Sequence, residues 1–271
     1  MTPQQLFDQI RQKRSCLCVG LDTDIRKIPP HLLREKDPVY EFNRRIIHAT
    51  APYAVAYKPN LAFYESLGAA GWQSLYRTLE EIPEDIFVIA DAKRGDIGNT
   101  ASLYARTFFE TFDFDALTVA PYMGRDSVSP FLEYEDKWVF LLALTSNPGS
   151  ADFQYLRSGD QLLYETVITQ SLAWAKDLPG HLGFVTGATH PQAFAGLRAL
   201  APDSYFLVPG VGEQGGDLQQ VMQHGSNSLG GLLINSSRGI IYAGSGDDFD
   251  EKAALSAQKM VQEMKFPFPL M

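Results

Sequence analysis

Ile89-Ala90-Asp91-Ala92-Lys93-Arg94-Gly95-Asp96-Ile97-Gly98-Asn99-Thr100 is the stretch whose reading decides the fold. The run that leads into it, Ile86-Phe87-Val88-Ile89-Ala90, is short, apolar and rich in β-branched residues, which is the pattern of a buried strand. Buried strands seldom tolerate charge, yet this one runs straight into Asp91, Lys93 and Asp96. Two residues apart on extended backbone, Asp91 and Lys93 are predicted to point to the same side. Gly95 and Gly98 break the strand, and Asn99 or Thr100 is placed to cap a helix running to about Glu110. A charged cluster at a strand's carboxyl end, just before a helix, is where parallel α/β proteins hold their chemistry. A salt-bridged loop explains Asp-x-Lys-x-x-Asp equally well when that motif is taken alone.

The flanking sequence repeats the same unit. Strands are expected at Cys16–Asp22, Ala54–Asn60, Ile86–Ala90, Ala116–Pro121, Trp138–Leu144, Leu182–Thr186, Tyr205–Pro209 and Gly231–Asn235. Pro59 stops the second, because proline cannot donate to a ladder. Helices are expected at Gln4–Arg14, Val39–Thr50, Gly71–Glu81, Ser127–Tyr134, Gln161–Lys176, Pro191–Leu200, Leu218–His224 and Asp250–Met264, besides the one after Gly98. Strands alternating with helices imply a parallel sheet, and eight such units in a chain of this length predict a closed (β/α)8 barrel. The prediction is one α/β domain of the TIM-barrel type over residues 1–271. An open doubly wound sheet is the weaker alternative, because no Gly-x-Gly-x-x-Gly turn follows the first strand.

Composition narrows the function. A chain of 271 residues that is 45% hydrophobic can bury a large core. Its net charge of -9 argues against nucleic acid or an acidic membrane as partner. No apolar run approaches the length of a membrane span, and Met1 to Arg14 lacks a signal-peptide core. Cys16 and Cys18 alternate on one strand, a spacing that suits neither a strain-free disulfide nor a metal site. They read as buried thiols of a reducing compartment, so the expected location is cytoplasmic.

In a closed barrel the carboxyl ends of the strands meet at one mouth. The polar residues expected there are Asp22, Lys58, Asn60, Asp91, Lys93, Asp96, Ser146, Gln214 and Arg238, with nothing comparable at the opposite end. Gly210-Val211-Gly212-Glu213-Gln214-Gly215-Gly216-Asp217 follows the seventh strand, and Asn235-Ser236-Ser237-Arg238-Gly239 follows the eighth. These two loops form the usual phosphate site of such barrels: glycines admit backbone N–H groups, and a helix N-terminus adds its dipole. Arg238 can hold phosphate oxygens in a bidentate fork. Lys58, Asp91, Lys93 and Asp96 are expected to alternate in charge, each lysine keeping its neighbouring carboxylates ionised. A lysine beside them is a proton donor. His31, His48, His181, His190 and His224 fall in loops or helices, so no Ser-His-Asp arrangement is expected.

With these residues in view, the sequence resembles the orotidine 5'-phosphate decarboxylase family, in its longer bacterial branch. Asp91-x-Lys93-x-x-Asp96-Ile97-x-Asn99-Thr100 is similar to that family's central motif. Asp22, Tyr57-Lys58-Pro59-Asn60, Pro209-Gly210-Val211-Gly212 with Gln214, and Arg238-Gly239 match as well, so the likeness spans nearly the whole chain. Many members carry Phe, then His or Ala, where Arg94 and Gly95 stand here. The resemblance implies decarboxylation of orotidine 5'-monophosphate to uridine 5'-monophosphate, with no metal and no organic cofactor. It implies that Asp91 faces the substrate carboxylate, that Lys93 protonates carbon 6, and that Lys58 and Asp22 hold ribose hydroxyls. It assigns Ser146 to the pyrimidine edge and Gln214 with Arg238 to the phosphate, and places Asn60 and Pro209 among the substrate-binding positions. It also implies a homodimer in which Asp96, Ile97 and Thr100 reach the partner's site. Three alternatives stand beside it: a magnesium-dependent phosphosugar lyase of the same barrel class, a Schiff-base aldolase using Lys93 or Lys58, and a non-catalytic phosphate-binding barrel.

Overall fold

Runs of Val, Leu, Ile, Phe and Ala long enough for four to eight residues of strand, each followed by an amphipathic helix, dictate how the chain packs. The structure, a computed structural model, describes residues 1–189, 191–211 and 216–266. In chain order the strands are β1 (Leu17–Leu21), β2 (Ala54–Pro59), β3 (Phe87–Arg94), β4 (Ala116–Val119), β5 (Trp138–Leu144), β6 (Arg157–Ser158), β7 (Gln161–Leu162), β8 (His181–Thr186), β9 (Phe206–Pro209) and β10 (Leu232–Ser236). All but β6 and β7 pair side by side in parallel, and β1 bonds to both β2 and β10. That double pairing closes the barrel and excludes the open sheet. Residues of β1 and β2 are buried throughout, as expected of strands covered on both faces.

The helices are α1 (Pro3–Lys13), α2 (Pro38–Thr50), α3 (Leu61–Glu65), α4 (Ala69–Glu80), α5 (Gly98–Arg106), α6 (Ser129–Leu132), α7 (Leu163–Ala175), α8 (Phe194–Leu200), α9 (Leu218–Gly225), α10 (Arg238–Ile241) and α11 (Phe249–Glu263). Among the described residues no helix is long and apolar enough to cross a membrane. Capping explains several starts: Thr2 and Gln5 form a capping box on α1, Asp37 accepts from the Tyr40 N–H at α2, and Asp217 caps α9.

Three local expectations are corrected. Asn99 and Thr100 do not cap α5; Ile97 stands at the cap position, and both polar residues lie inside the first turn. Gln161 does not start a helix, because β6 and β7 form a hairpin around Gly159, whose φ is +64°, and α7 begins only at Leu163. Third, His181 lies in neither a loop nor a helix: it opens β8, at the end of the barrel opposite the mouth, where acidic and basic side chains also stand. Asp115 accepts from the Val88 N–H at 2.9 Å, and Lys137 bonds Asp113 at 2.7 Å.

Aromatic rings plug that end. Phe87 packs edge-on against Trp138 with centroids 5.6 Å apart, and Trp138 against Tyr205 at 5.4 Å. Each pair adds ~0.5–1.5 kcal/mol beyond its buried area. With this floor closed, the strand carboxyl ends form the mouth where polar groups converge.

Candidate active site

Lys58, near the end of β2, is only 4% exposed. A lone ammonium in such a place would be strongly disfavoured. Its Nζ lies 2.7 Å from Asp91 Oδ2 and 4.0 Å from Asp22 Oδ1. The other oxygen of Asp91, Oδ1, accepts from Lys93 Nζ at 2.5 Å and from the Thr118 hydroxyl at 3.1 Å. Asp22, Lys58, Asp91 and Lys93 therefore alternate in charge along one row. Asp96 does not join this row: its Oδ1 accepts from the Ile97 N–H at 2.8 Å, and it makes no ion pair among the described residues.

The row fixes its own ionisation. Burial alone would lower the pKa of Lys58, but attraction to Asp91 and Asp22 outweighs it and holds the ammonium above the ordinary lysine range. Burial alone would raise Asp91, but Lys58 and Lys93 together hold its carboxyl well below the usual carboxylate range. Cys18 lies beside the row, its Sγ 3.6 Å from Asn235 Oδ1, and burial pushes its thiol up to about 12. It is a packing residue and not a thiolate.

How Lys93 reaches Asp91 differs from the expected alternation. The register of β3 on β4 slips between Ala90 and Arg94: Ala90 pairs with Leu117 and Arg94 with Val119. Asp91, Ala92 and Lys93 thus bulge out opposite the single residue Thr118. Lys93 has φ of +48°, a left-handed conformation that a side chain bearing a Cβ seldom adopts. The bulge turns the lysine back onto Asp91 and leaves its side chain 51% exposed to the mouth.

The enclosed part of the mouth is a cavity of about 140 Å³ lined by Asp22, Lys58, Asp91, Pro209, Asn235 and Arg238, among others. Asp22 Oδ1 is buried beside it without a hydrogen-bond partner. Gly20 permits the tight wall: a Cβ there would stand 1.8 Å from Ser237 Oγ. Arg238 opens α10 and is exposed. That helix is a single turn, so its dipole adds little and any anion grip rests on the guanidinium itself. Ser146 stands just past β5, close enough to Gly187 that a Cβ on the glycine would meet its backbone at 2.7 Å. Asn60 uses its side-chain oxygen to cap α3 through the Ala62 N–H, 3.2 Å away. Gln214, together with Gly212 and His190, lies outside the described residues.

Ile97 and Thr100 are exposed on α5 and its approach, far less buried than the row. Ile97, Leu103, Met123 and the 94%-exposed Tyr122 leave apolar side chains in solvent around this segment. A larger cavity of about 570 Å³ lies between α2 and α4, where Arg77 bonds Asp37 at 3.0 Å. It gathers none of the strand-end groups.

Two features escape the sequence reading. Thr118 is a β-branched residue in an apolar strand and gives no sign of touching a carboxylate. Arg94 is drawn inward: it pairs with Glu65 of α3 and donates to the Ala92 carbonyl at 3.1 Å, tying the bulge to its neighbour.

Comparison with known proteins supplies the rest. The sequence matches the Orotidine 5'-phosphate decarboxylase / HUMPS family over residues 15–248. It is 55% identical over 269 residues to the orotidine 5'-phosphate decarboxylase of Phocaeicola vulgatus, covering 98% of each chain. Among solved structures, the OMP decarboxylase of Leishmania donovani aligns with a TM-score of 0.83 at 40% identity, over 97% of both chains. The UMP synthase of Leishmania donovani aligns at 0.84 and 42% identity over 96% of this chain, which spans 55% of that longer protein.

Proposed function

The chain belongs to the orotidine 5'-phosphate decarboxylase / HUMPS family, and from that premise we propose that it converts orotidine 5'-monophosphate to uridine 5'-monophosphate and carbon dioxide. The reaction is a step of pyrimidine biosynthesis, carried out in the cytoplasm without metal or organic cofactor. The observation that carries this reading is the row Asp22, Lys58, Asp91 and Lys93 at the barrel mouth, with Lys93 as its solvent-facing end.

Asp91 stands against the substrate carboxylate. The bond from carbon 6 to that carboxylate breaks, the electron pair stays on carbon 6, and carbon dioxide leaves. Lys93 then gives its proton to carbon 6 and recovers one from solvent. No adjacent carbonyl delocalises the carbanion, so a lowering of the barrier near the top of the enzymatic range, roughly 23 kcal/mol, is required. A cation placed in advance beside the developing charge is one contribution. Phosphate held by Arg238 and Gln214 is another, since binding energy from a remote group can orient the reacting centre. The buried Oδ1 of Asp22, which has no hydrogen bond of its own, accepts one from a ribose hydroxyl beside Lys58. Ser146 bonds the pyrimidine edge, while Asn60 and Pro209 complete the walls.

The test is to follow loss of orotate absorbance when the purified chain meets orotidine 5'-monophosphate, with a chelator present. Complete conversion is expected. Unchanged substrate refutes the reading, and conversion that the chelator stops returns it to the magnesium lyase.

We also propose a homodimer in which Asp96, Ile97 and Thr100 complete the partner's site. The exposed apolar side chains of Ile97, Leu103, Tyr122 and Met123 support it, as does the separation of Asp96 from its own row. Mixing inactive Asp96→Ala with inactive Lys93→Ala under subunit exchange should restore activity, up to about half per mixed dimer, because one site then carries both lesions and the other none. A mixture that stays dead after verified exchange contradicts the shared site.

A further inference from the structure

The bulge that carries Lys93 needs something to hold it. A lysine at φ +48° is strained, and such conformations persist only where the surroundings over-determine them. Opposite the three bulged residues stands Thr118 alone. It is 1% exposed. Its Oγ1 accepts the backbone N–H of Lys93 at 2.9 Å and donates to Asp91 Oδ1 at 3.1 Å; the carbonyl of Ala90 lies farther, at 3.5 Å. One hydroxyl therefore ties the main chain of the lysine to the carboxylate that its side chain contacts. On the far side of the lysine the Arg94 carbonyl accepts the Ala120 N–H at 2.8 Å, so the peptide is bracketed from both directions by β4 and its extension.

We propose that Thr118 is a positioning residue, whose hydroxyl fixes the left-handed turn at Lys93 and thereby sets the lysine ammonium on Asp91 for proton delivery. The proposal rests on the decarboxylase reading above and adds to it a residue that touches neither substrate nor product. Sterically the position asks only for a β-branched strand residue, and valine would fill it. The hydroxyl is what valine lacks, leaving a buried lone pair of Asp91 and the part-buried Lys93 N–H without it.

The experiment compares wild type, Thr118→Val and Thr118→Ser in turnover of orotidine 5'-monophosphate, and determines the crystal structure of Thr118→Val. Wild-type turnover is measured first and judges the functional reading by itself. For Thr118→Val, kcat is expected to fall roughly 10- to 100-fold, the loss of a hydrogen bond to a charged group, while KM stays within about threefold. Thr118→Ser, which keeps the hydroxyl, is expected within about fivefold of wild type in kcat. In the Thr118→Val crystal, Lys93 is expected to leave its left-handed conformation and its Nζ to withdraw from Asp91. A merely structural threonine predicts instead that both variants lose activity in step with thermal stability. That result overturns the proposal, as does a Thr118→Val enzyme with kcat within twofold of wild type, or one whose bulge is unmoved. Should Thr118→Val not fold, Thr118→Cys, close in size and feeble as a hydrogen-bonding group, stands in for it under the same criteria. If wild type proves inactive, the crystal structure alone decides whether Thr118 holds the turn.

Discussion

Lys93→Ala is expected to abolish turnover of orotidine 5'-monophosphate while leaving uridine 5'-monophosphate bound nearly as well as before. Two lysines sit at the mouth, and the structure separates their tasks. Lys58 is buried between Asp91 and Asp22 at the cavity wall, held where a ribose hydroxyl would sit rather than at the reacting carbon. Lys93 is half exposed, and its ammonium bonds Asp91 Oδ1 from the side of the mouth. Removing it deletes the proton donor, worth ~10²–10⁴-fold, and the cation that faces the developing carbanion, worth a further ~10²–10³-fold. The product carries no carboxylate and asks nothing of the donor, so its affinity should change little. Initial-rate kinetics and product titration by calorimetry check both halves. Turnover within tenfold of wild type would remove Lys93 from the chemistry.

Lys58→Met should act on stability as much as on rate. It leaves Asp91 and Asp22 near one another in a buried place, with Lys93 as the remaining cation. Breaking a buried pair from one side costs about 3–5 kcal/mol. The pH dependence gives the sign. In wild type the Asp91 pKa is depressed, so its stabilising contribution is complete above the unfolded value, ~3.9, and is lost as pH falls through the lower folded value. Without Lys58 the burial of Asp91 is opposed by Lys93 alone, and its folded pKa is expected to rise past the unfolded value; protonation then favours the folded state, and the deficit should shrink as pH falls from 8 towards 4. Urea unfolding at fixed protein concentration, at pH 8 and pH 5, measures this. A deficit below about 1 kcal/mol, or one equal at both pH values, would contradict the role given to Lys58.

Much of this site was legible because burial and charge conflict openly in the sequence. Leu17–Leu21, Ala54–Pro59 and Trp138–Leu144 are apolar runs that can only be interior strands, and acids or lysines at strand ends must lie at the barrel mouth. The bulge at Asp91–Lys93 was not legible. Lysine does not advertise positive φ as glycine does, so the apolar pattern ends the strand at Ala90 while the ladder resumes at Arg94. The same bulge takes Asp96 out of the charged row, and Asp22 stands there instead. Helices α3 and α10, five and four residues long, are too short to show a period of 3.6. The hairpin at Ser158-Gly159-Asp160 joins strands of two residues each, too short to show a period of two. Thr118 needed the register itself, since its importance comes from what it faces.

The central claim, that the row at the mouth is the seat of decarboxylation, is tested most directly by a crystal structure of the chain with uridine 5'-monophosphate. The account predicts a pyrimidine over Asp91 with carbon 6 towards Lys93 Nζ, ribose hydroxyls at Asp22 and Lys58, and the phosphate at Arg238. A nucleotide bound elsewhere, for instance in the cavity between α2 and α4, or one reversed so that its phosphate meets Lys93, would contradict it.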